Sequence, residues 1–185
     1  LGKLKSVCVF CGSSEGVRKE YAEAARSLGR EMAWRGLRLV FGGGRVGLMG
    51  VVADAVLGAG GEAVGVMPEA LMEEELGHRR LTGLRVVGTM HERKALMVDL
   101  SDAFAALPGG YGTFEESLEA LTWSQLGLHD KPCGFLNVAG FYDPLISMFD
   151  HASREGFMRD THRALALVED EPEKLLDLLE SHAPR

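Results

Sequence analysis

The stretch Ala106–Ser117, "ALPGGYGTFEES", ends an apolar run at Pro108, passes three glycines in four residues and opens a helical pattern at Thr113, with Glu115 and Glu116 side by side. A strand that bends through glycines straight into a helix is the repeating unit of a parallel sheet, and the same pattern recurs along the chain. Apolar, β-type runs lie at residues 6–10, 37–41, 63–67, 84–87, 103–107, 134–138 and 164–168. Helical periodicity fills the intervals at 18–35, 47–58, 90–100, 114–127, 142–155 and 173–182. Strands so uniformly apolar belong in a sheet covered on both faces. The expected fold class is therefore α/β: a Rossmann-like, doubly wound parallel sheet with helices on both faces, forming a single domain over residues 1–185. Ligands of such a sheet sit beyond the carboxyl ends of its strands, so the βα turns are where function is sought.

Bulk composition narrows the classes of partner. The chain carries a net charge of −7, with 46% hydrophobic and 25% charged residues. An acidic surface supplies no general field for nucleic acid or an anionic membrane, so any anionic ligand is held locally, in a pocket of cations and backbone amides. The N-terminal "LGKLKSVCVFCGSS" is too briefly apolar for a signal peptide, and no window approaches the ~20 residues that span a bilayer. A cytoplasmic protein is expected. Cys8, Cys11 and Cys133 are too few for a disulfide framework or a four-cysteine zinc site. Cys8-x-x-Cys11 has redox spacing, but Cys8 lies inside the strand "SVCVF", where core packing is the expected role. The six histidines are scattered without ligand spacing, so no metal is assigned. Trp34 and Trp123 are expected in the core or a subunit contact.

Three turns are rich in small residues: "CGSSEG" from Cys11, "GGGRVGLMG" from Gly42 and "PGGYGT" from Pro108. Gly42-x-Gly44-x-x-Gly47 has the strand–helix context of a dinucleotide fingerprint. However, the acidic residue that should follow the next strand is not convincingly placed, so Gly43 and Gly44 are read as a tight turn facing a smaller phosphate-bearing ligand, or as a purely structural bend. In "PGGYGT" the glycines permit several N–H groups to converge where a helix begins, which makes Gly109, Gly110, Tyr111, Gly112 and Thr113 a candidate phosphate cradle. Ser13 is a candidate hydrogen-bonding neighbour. Thr113-x-x-Glu116 also reads as a capping box, as does Thr89-x-x-Glu92, so spacing alone leaves Glu116 open between cap and catalyst.

Directly after Thr89-Met90-His91-Glu92 stand Arg93 and Lys94, cations near a helix start where they oppose the dipole unless an anion offsets them. Met90, Arg93, Lys94 and Met97 fall on roughly one face, mixed apolar and basic, suited to a flat base and a charged group. A solvated charged face is the alternative. Glu116 lies about 4.5 Å by helical rise beyond the phosphate cradle. A carboxylate there does not meet the phosphate but can meet the sugar of a 5'-nucleotide. Breaking an N-glycosidic bond builds positive charge on the ribose ring, which a nearby carboxylate favours. The residues 67–80, "MPEALMEEELGHRR", read as an irregular loop or short helix over the site.

"PGGYGTFEE" and "MHERKALM", spaced and ordered as they are, resemble the paired motifs of the "lonely guy" family of cytokinin riboside 5'-monophosphate phosphoribohydrolases, often carried under the label lysine decarboxylase. The resemblance extends from "VCVFCGSS" through "VFGGGRVGLMG" to "LGLHDKPCGFLNV". It implies hydrolysis of an N6-substituted adenosine monophosphate to free base and ribose 5-phosphate, without a cofactor, on a Rossmann-like nucleotide-binding fold, usually as a homodimer. It also implies that Arg93 and Glu116 are the catalytic pair, and that Lys94, Gly110–Thr113, Glu115 and Thr122 contact the nucleotide. A nucleotide-binding or carrier module without hydrolysis is the alternative. Decarboxylation would need a lysine-bound pyridoxal phosphate, and nothing around Lys94 or Lys131 argues for it.

Overall fold

Consecutive side chains of a strand point to opposite faces, so a run apolar at every position needs cover on both. In the computed structural model, which describes residues 4–72, 77–78 and 80–184, the runs at 6–10, 103–106 and 133–136 are buried throughout, whereas the edge run at 83–87 stays part-exposed. The strands are β1 (Ser6–Phe10), β2 (Arg38–Phe41), β3 (Ala63–Pro68), β4 (Gly83–Val87), β5 (Ala103–Ala106), β6 (Cys133–Leu136) and β7 (Ala166–Glu169). They pair in parallel in the order β4-β3-β2-β1-β5-β6-β7. The helices are α1 (Lys19–Trp34), α2 (Gly47–Gly58), α3 (Met90–Asp99), α4 (Tyr111–Gln125), α5 (Asp143–Arg154), α6 (Asp160–Arg163) and α7 (Pro172–Ser181).

The core divides by strand parity. Val7 and Val9 of β1, with Leu39, Phe41 and Ala105, pack against α1, α2 and α7 through Leu28, Val52, Val56 and Leu175. Cys8 and Phe10, with Val40, Val66 and Phe104, pack the other way against Met97 of α3 and Ala120 of α4. Tyr142 and Phe149 beside α6 and β6 close a third cluster on Ala106 and Phe135. The doubly wound α/β expectation therefore holds. Because β1 lies between β2 and β5, successive connections leave it in opposite directions, and a crevice opens at the carboxyl ends of β1 and β5.

The structure corrects several details. α4 begins at Tyr111 with Gly110 as its N-cap, three residues before the expected start, because Gly112 falls inside the first turn rather than before it. The short α6 was not foreseen; four residues carry no periodicity to read. Of the two places expected for the tryptophans, Trp34 does not take the core, since it ends α1 with 73% of its surface exposed, which leaves the subunit contact; Trp123 is partly buried. Of residues 67–80, Glu69–Leu71 form a single 3-10 turn, and the expectation of a loop or helix at 73–76 and 79 lies outside the described residues. No described helix is long and apolar enough to cross a membrane.

Candidate active site

Backbone hydrogen bonds tie together the turns around the crevice. The Gly12 amide donates to the Pro108 carbonyl (3.0 Å), the Leu48 amide to the Gly12 carbonyl (3.0 Å), and the Leu107 amide to the Phe10 carbonyl (2.9 Å). From below, the buried Tyr142 hydroxyl donates to the Leu107 carbonyl at 2.6 Å. The end of β1, the end of β5 and the start of α2 thus form one fixed frame. Glycine is required at 109 by space: a Cβ there would overlap the Thr113 hydroxyl and crowd the Gly12 amide, 2.9 Å away.

Within that frame lies a cleft of about 210 Å³, lined by Ser13, Arg93, Gly110, Gly112, Thr113 and Glu116 among others. The first intrahelical bond of α4 runs from the Phe114 amide to Gly110 (3.1 Å), which leaves the Tyr111, Gly112 and Thr113 amides at the open, positive end of the helix. Thr113 is the third residue of α4 rather than its cap, so the Thr113–Glu116 capping box does not form. At the other helix the box does form in modified shape. Thr89 accepts from the Glu92 amide (3.1 Å), and Glu92 reaches back to accept from the Gly88 amide (2.8 Å). That cap fixes the start of α3 and so aims Arg93.

Arg93 is the charged side chain that the fold buries here. Its residue is 7% exposed, its Nε donates to the Val66 carbonyl at the end of β3 (3.1 Å), and its Nη1 lies 3.7 Å from Glu116 Oε1. The Glu116 side chain is itself only 13% exposed. A guanidinium and a carboxylate therefore face one another from α3 and α4 beside a set of amides suited to an anion. Cys8 and Cys11 lie under this pair, and burial first, then the Glu116 charge, pushes both thiols well above the usual range. Cys133 is pushed up to about 12 by burial. Thiols so disfavoured as thiolates suit the core, in accord with the packing expectation and against a redox role.

Of the residues singled out in the sequence, the cleft gathers Ser13, Arg93, Gly110, Tyr111, Gly112, Thr113 and Glu116. Gly109 lines an adjoining hollow of about 270 Å³ that shares Gly12, Ser13 and Gly110 with it. Lys94, Glu115, Thr122, Gly43 and Gly44 are not among the residues lining either. Lys94 instead bridges α3 to α4, donating to Glu115 (2.5 Å) and Glu119 (3.0 Å), and its pKa is raised chiefly by the Glu115 bond. Thr122 is exposed and donates to its own helix at Leu118. Sequence reasoning missed Gly12 and Met49, which line the cleft through chain folding alone. A larger open groove between α1 and α2 is lined by Arg26, Arg30, Trp34 and Asp54, with Asp54 engaged by His78 (3.2 Å) and Arg80.

Comparison with known proteins shows the family to which the chain belongs. A family model described as "Possible lysine decarboxylase" matches residues 49–179. A probable cytokinin riboside 5'-monophosphate phosphoribohydrolase of Oryza sativa subsp. japonica is 49% identical over 183 residues, covering 99% of this chain and 75% of the relative. A cytokinin riboside 5'-monophosphate phosphoribohydrolase of Arabidopsis thaliana is 48% identical over 182 residues, covering 98% and 85%. Among solved structures, the molybdenum cofactor binding protein of Rippkaea orientalis superposes with a TM-score of 0.73 at 24% identity, covering 98% of each chain. At that identity the likeness concerns the fold.

Proposed function

We propose a phosphoribohydrolase: the chain belongs to the family of cytokinin riboside 5'-monophosphate phosphoribohydrolases, and the cleft between β1 and β5 offers what that hydrolysis needs. The reaction splits the N-glycosidic bond of an N6-substituted adenosine 5'-monophosphate, or of AMP itself, with water, giving free base and ribose 5-phosphate. The observation that carries this reading is the Arg93–Glu116 pair, 3.7 Å apart and largely buried, one helical turn beyond the open amides of α4.

The proposed roles follow from charge. The amides from Gly110 to Thr113, with the Ser13 hydroxyl, anchor the 5'-phosphate, and the helix dipole adds to their attraction. Glu116 then faces the sugar. As the glycosidic bond lengthens, electrons move to the base and the ribose ring becomes cationic; the carboxylate stabilises that cation and orients the incoming water. Arg93 stabilises the negative charge that accumulates on the departing base. Burial of both groups strengthens these interactions relative to bulk water. Lys94 and Glu115 act from outside the cleft, as the tie that holds α3 and α4 at the right separation.

The working unit is proposed to be a cytoplasmic homodimer, supported by large apolar side chains left exposed on and after α4 and α5: Leu126 and Leu128 at 65% and 68%, and Met148 at 60%. Light scattering of the purified protein measures this directly. The activity itself is tested by incubating the protein with AMP, with isopentenyl-AMP and with the matching nucleosides, then separating the products. Free base from the phosphorylated compounds supports the proposal; tight binding without base release supports a carrier instead.

A further inference from the structure

We propose that Gly42, the first glycine of the β2–α2 turn, is a positioning residue for this hydrolysis: its missing side chain is the slot that seats the Arg93 guanidinium opposite Glu116. The proposal rests on the reading of Arg93 and Glu116 given above. It assigns the "GGG" run a role other than phosphate binding.

Each edge of the guanidinium is fixed by a different neighbour. Nε donates to the Val66 carbonyl at 3.1 Å. Nη1 lies 3.7 Å from Glu116 and 3.8 Å from the Met90 sulfur. Nη2 rests against Gly42, where a Cβ would overlap it and stand 3.3 Å from Cζ and 3.5 Å from the Met49 sulfur. A side chain at 42 and the observed Arg93 cannot occupy this space together.

The requirement at 42 is spatial and not conformational. Gly43 has φ +82°, a backbone state that L side chains rarely adopt, whereas Gly42 is absent from the positive-φ glycines among the described residues. An alanine at 42 is thus compatible with the backbone. What it displaces is the mobile end of a long side chain, so the turn persists while the guanidinium leaves its place between Val66 and Glu116. Misplacement of a catalytic group by about 1 Å costs on the order of 100-fold in rate.

The test is the variant Gly42→Ala, alone and combined with Arg93→Ala, assayed for base release from AMP and isopentenyl-AMP beside thermal unfolding. Gly42→Ala is expected to lower kcat by about 10- to 100-fold with KM changed less than about threefold, and to unfold within a few degrees of wild type. In the Arg93→Ala background the same change is expected to alter kcat less than about twofold, because the group it displaces is already gone. Full activity of Gly42→Ala, a multiplied loss in the double variant, or gross destabilisation would each overturn the slot. Failure of wild type to release base would instead sink the proposed function. A crystal structure of Gly42→Ala then still decides the slot: Arg93 Nε off the Val66 carbonyl is expected, and Arg93 in its present place refutes it.

Discussion

Replacing Glu116 by glutamine removes one charge and little else, since the two side chains have nearly the same volume and both accept a hydrogen bond. The carboxylate is largely buried beside Arg93, so its field is only partly screened by solvent. With an effective dielectric constant of about 20, a unit charge about 4 Å from a developing cation contributes roughly 4 kcal/mol. The ribosyl cation is only partly formed in the transition state, and glutamine retains a dipole, so about 3 kcal/mol is a reasonable share. At about 1.4 kcal/mol per tenfold, kcat should fall by roughly 100- to 1,000-fold. Ground-state binding depends on the phosphate cradle, so KM for AMP should move less than about threefold. The assay is steady-state base release by chromatography, with circular dichroism to confirm folding. A loss expressed wholly in KM would refute the reasoning, because it would make Glu116 a uniform binding group with no preference for the transition state.

Three other perturbations probe the surrounding frame. Lys94→Met should cost about 1 kcal/mol of stability through loss of its ties to Glu115 and Glu119, lowering the thermal midpoint by about 3 °C with KM little changed; a tenfold rise in KM would restore a direct nucleotide contact. His129 has its pKa lowered, first by burial and then by Lys131, so folding favours the neutral ring; thermal stability should decline as pH falls below about 6.5, and His129→Gln should flatten that slope. The buried thiols of Cys8, Cys11 and Cys133 should resist a disulfide reagent at pH 8 in the native protein, and all 3 should react in denaturant; fast native reaction of a Cys8–Cys11 pair would contradict their core placement.

The strands were legible because burial on both faces writes an apolar run with no alternation, as in Ser6–Phe10, whose five residues are all buried. Position in the sheet was legible only as a class: the order β4-β3-β2-β1-β5-β6-β7 depends on packing among helices that no single segment encodes. At the site, the motif around Gly110 and Thr113 and the basic start of α3 announced themselves, and the fold brings Arg93 to Glu116 across 3.7 Å. The role of Gly42 was not legible. Its neighbour Arg93 is far off in sequence, and a glycine kept for space looks the same on paper as one kept for its φ angle. Likewise Lys94 follows Arg93 directly, yet one points into the cleft and the other across to Glu115, a divergence set by the roughly 100° that separates neighbours on a helix.

The central claim is that this cleft cuts a sugar from a base only when a 5'-phosphate holds the sugar in place. Purified protein should be given AMP, isopentenyl-AMP, adenosine and isopentenyladenosine in parallel, with free base and ribose 5-phosphate quantified together. The account predicts equimolar base and ribose 5-phosphate from the two monophosphates and almost none from the nucleosides. Equal cleavage with and without the phosphate, or monophosphates bound and recovered intact, would contradict it.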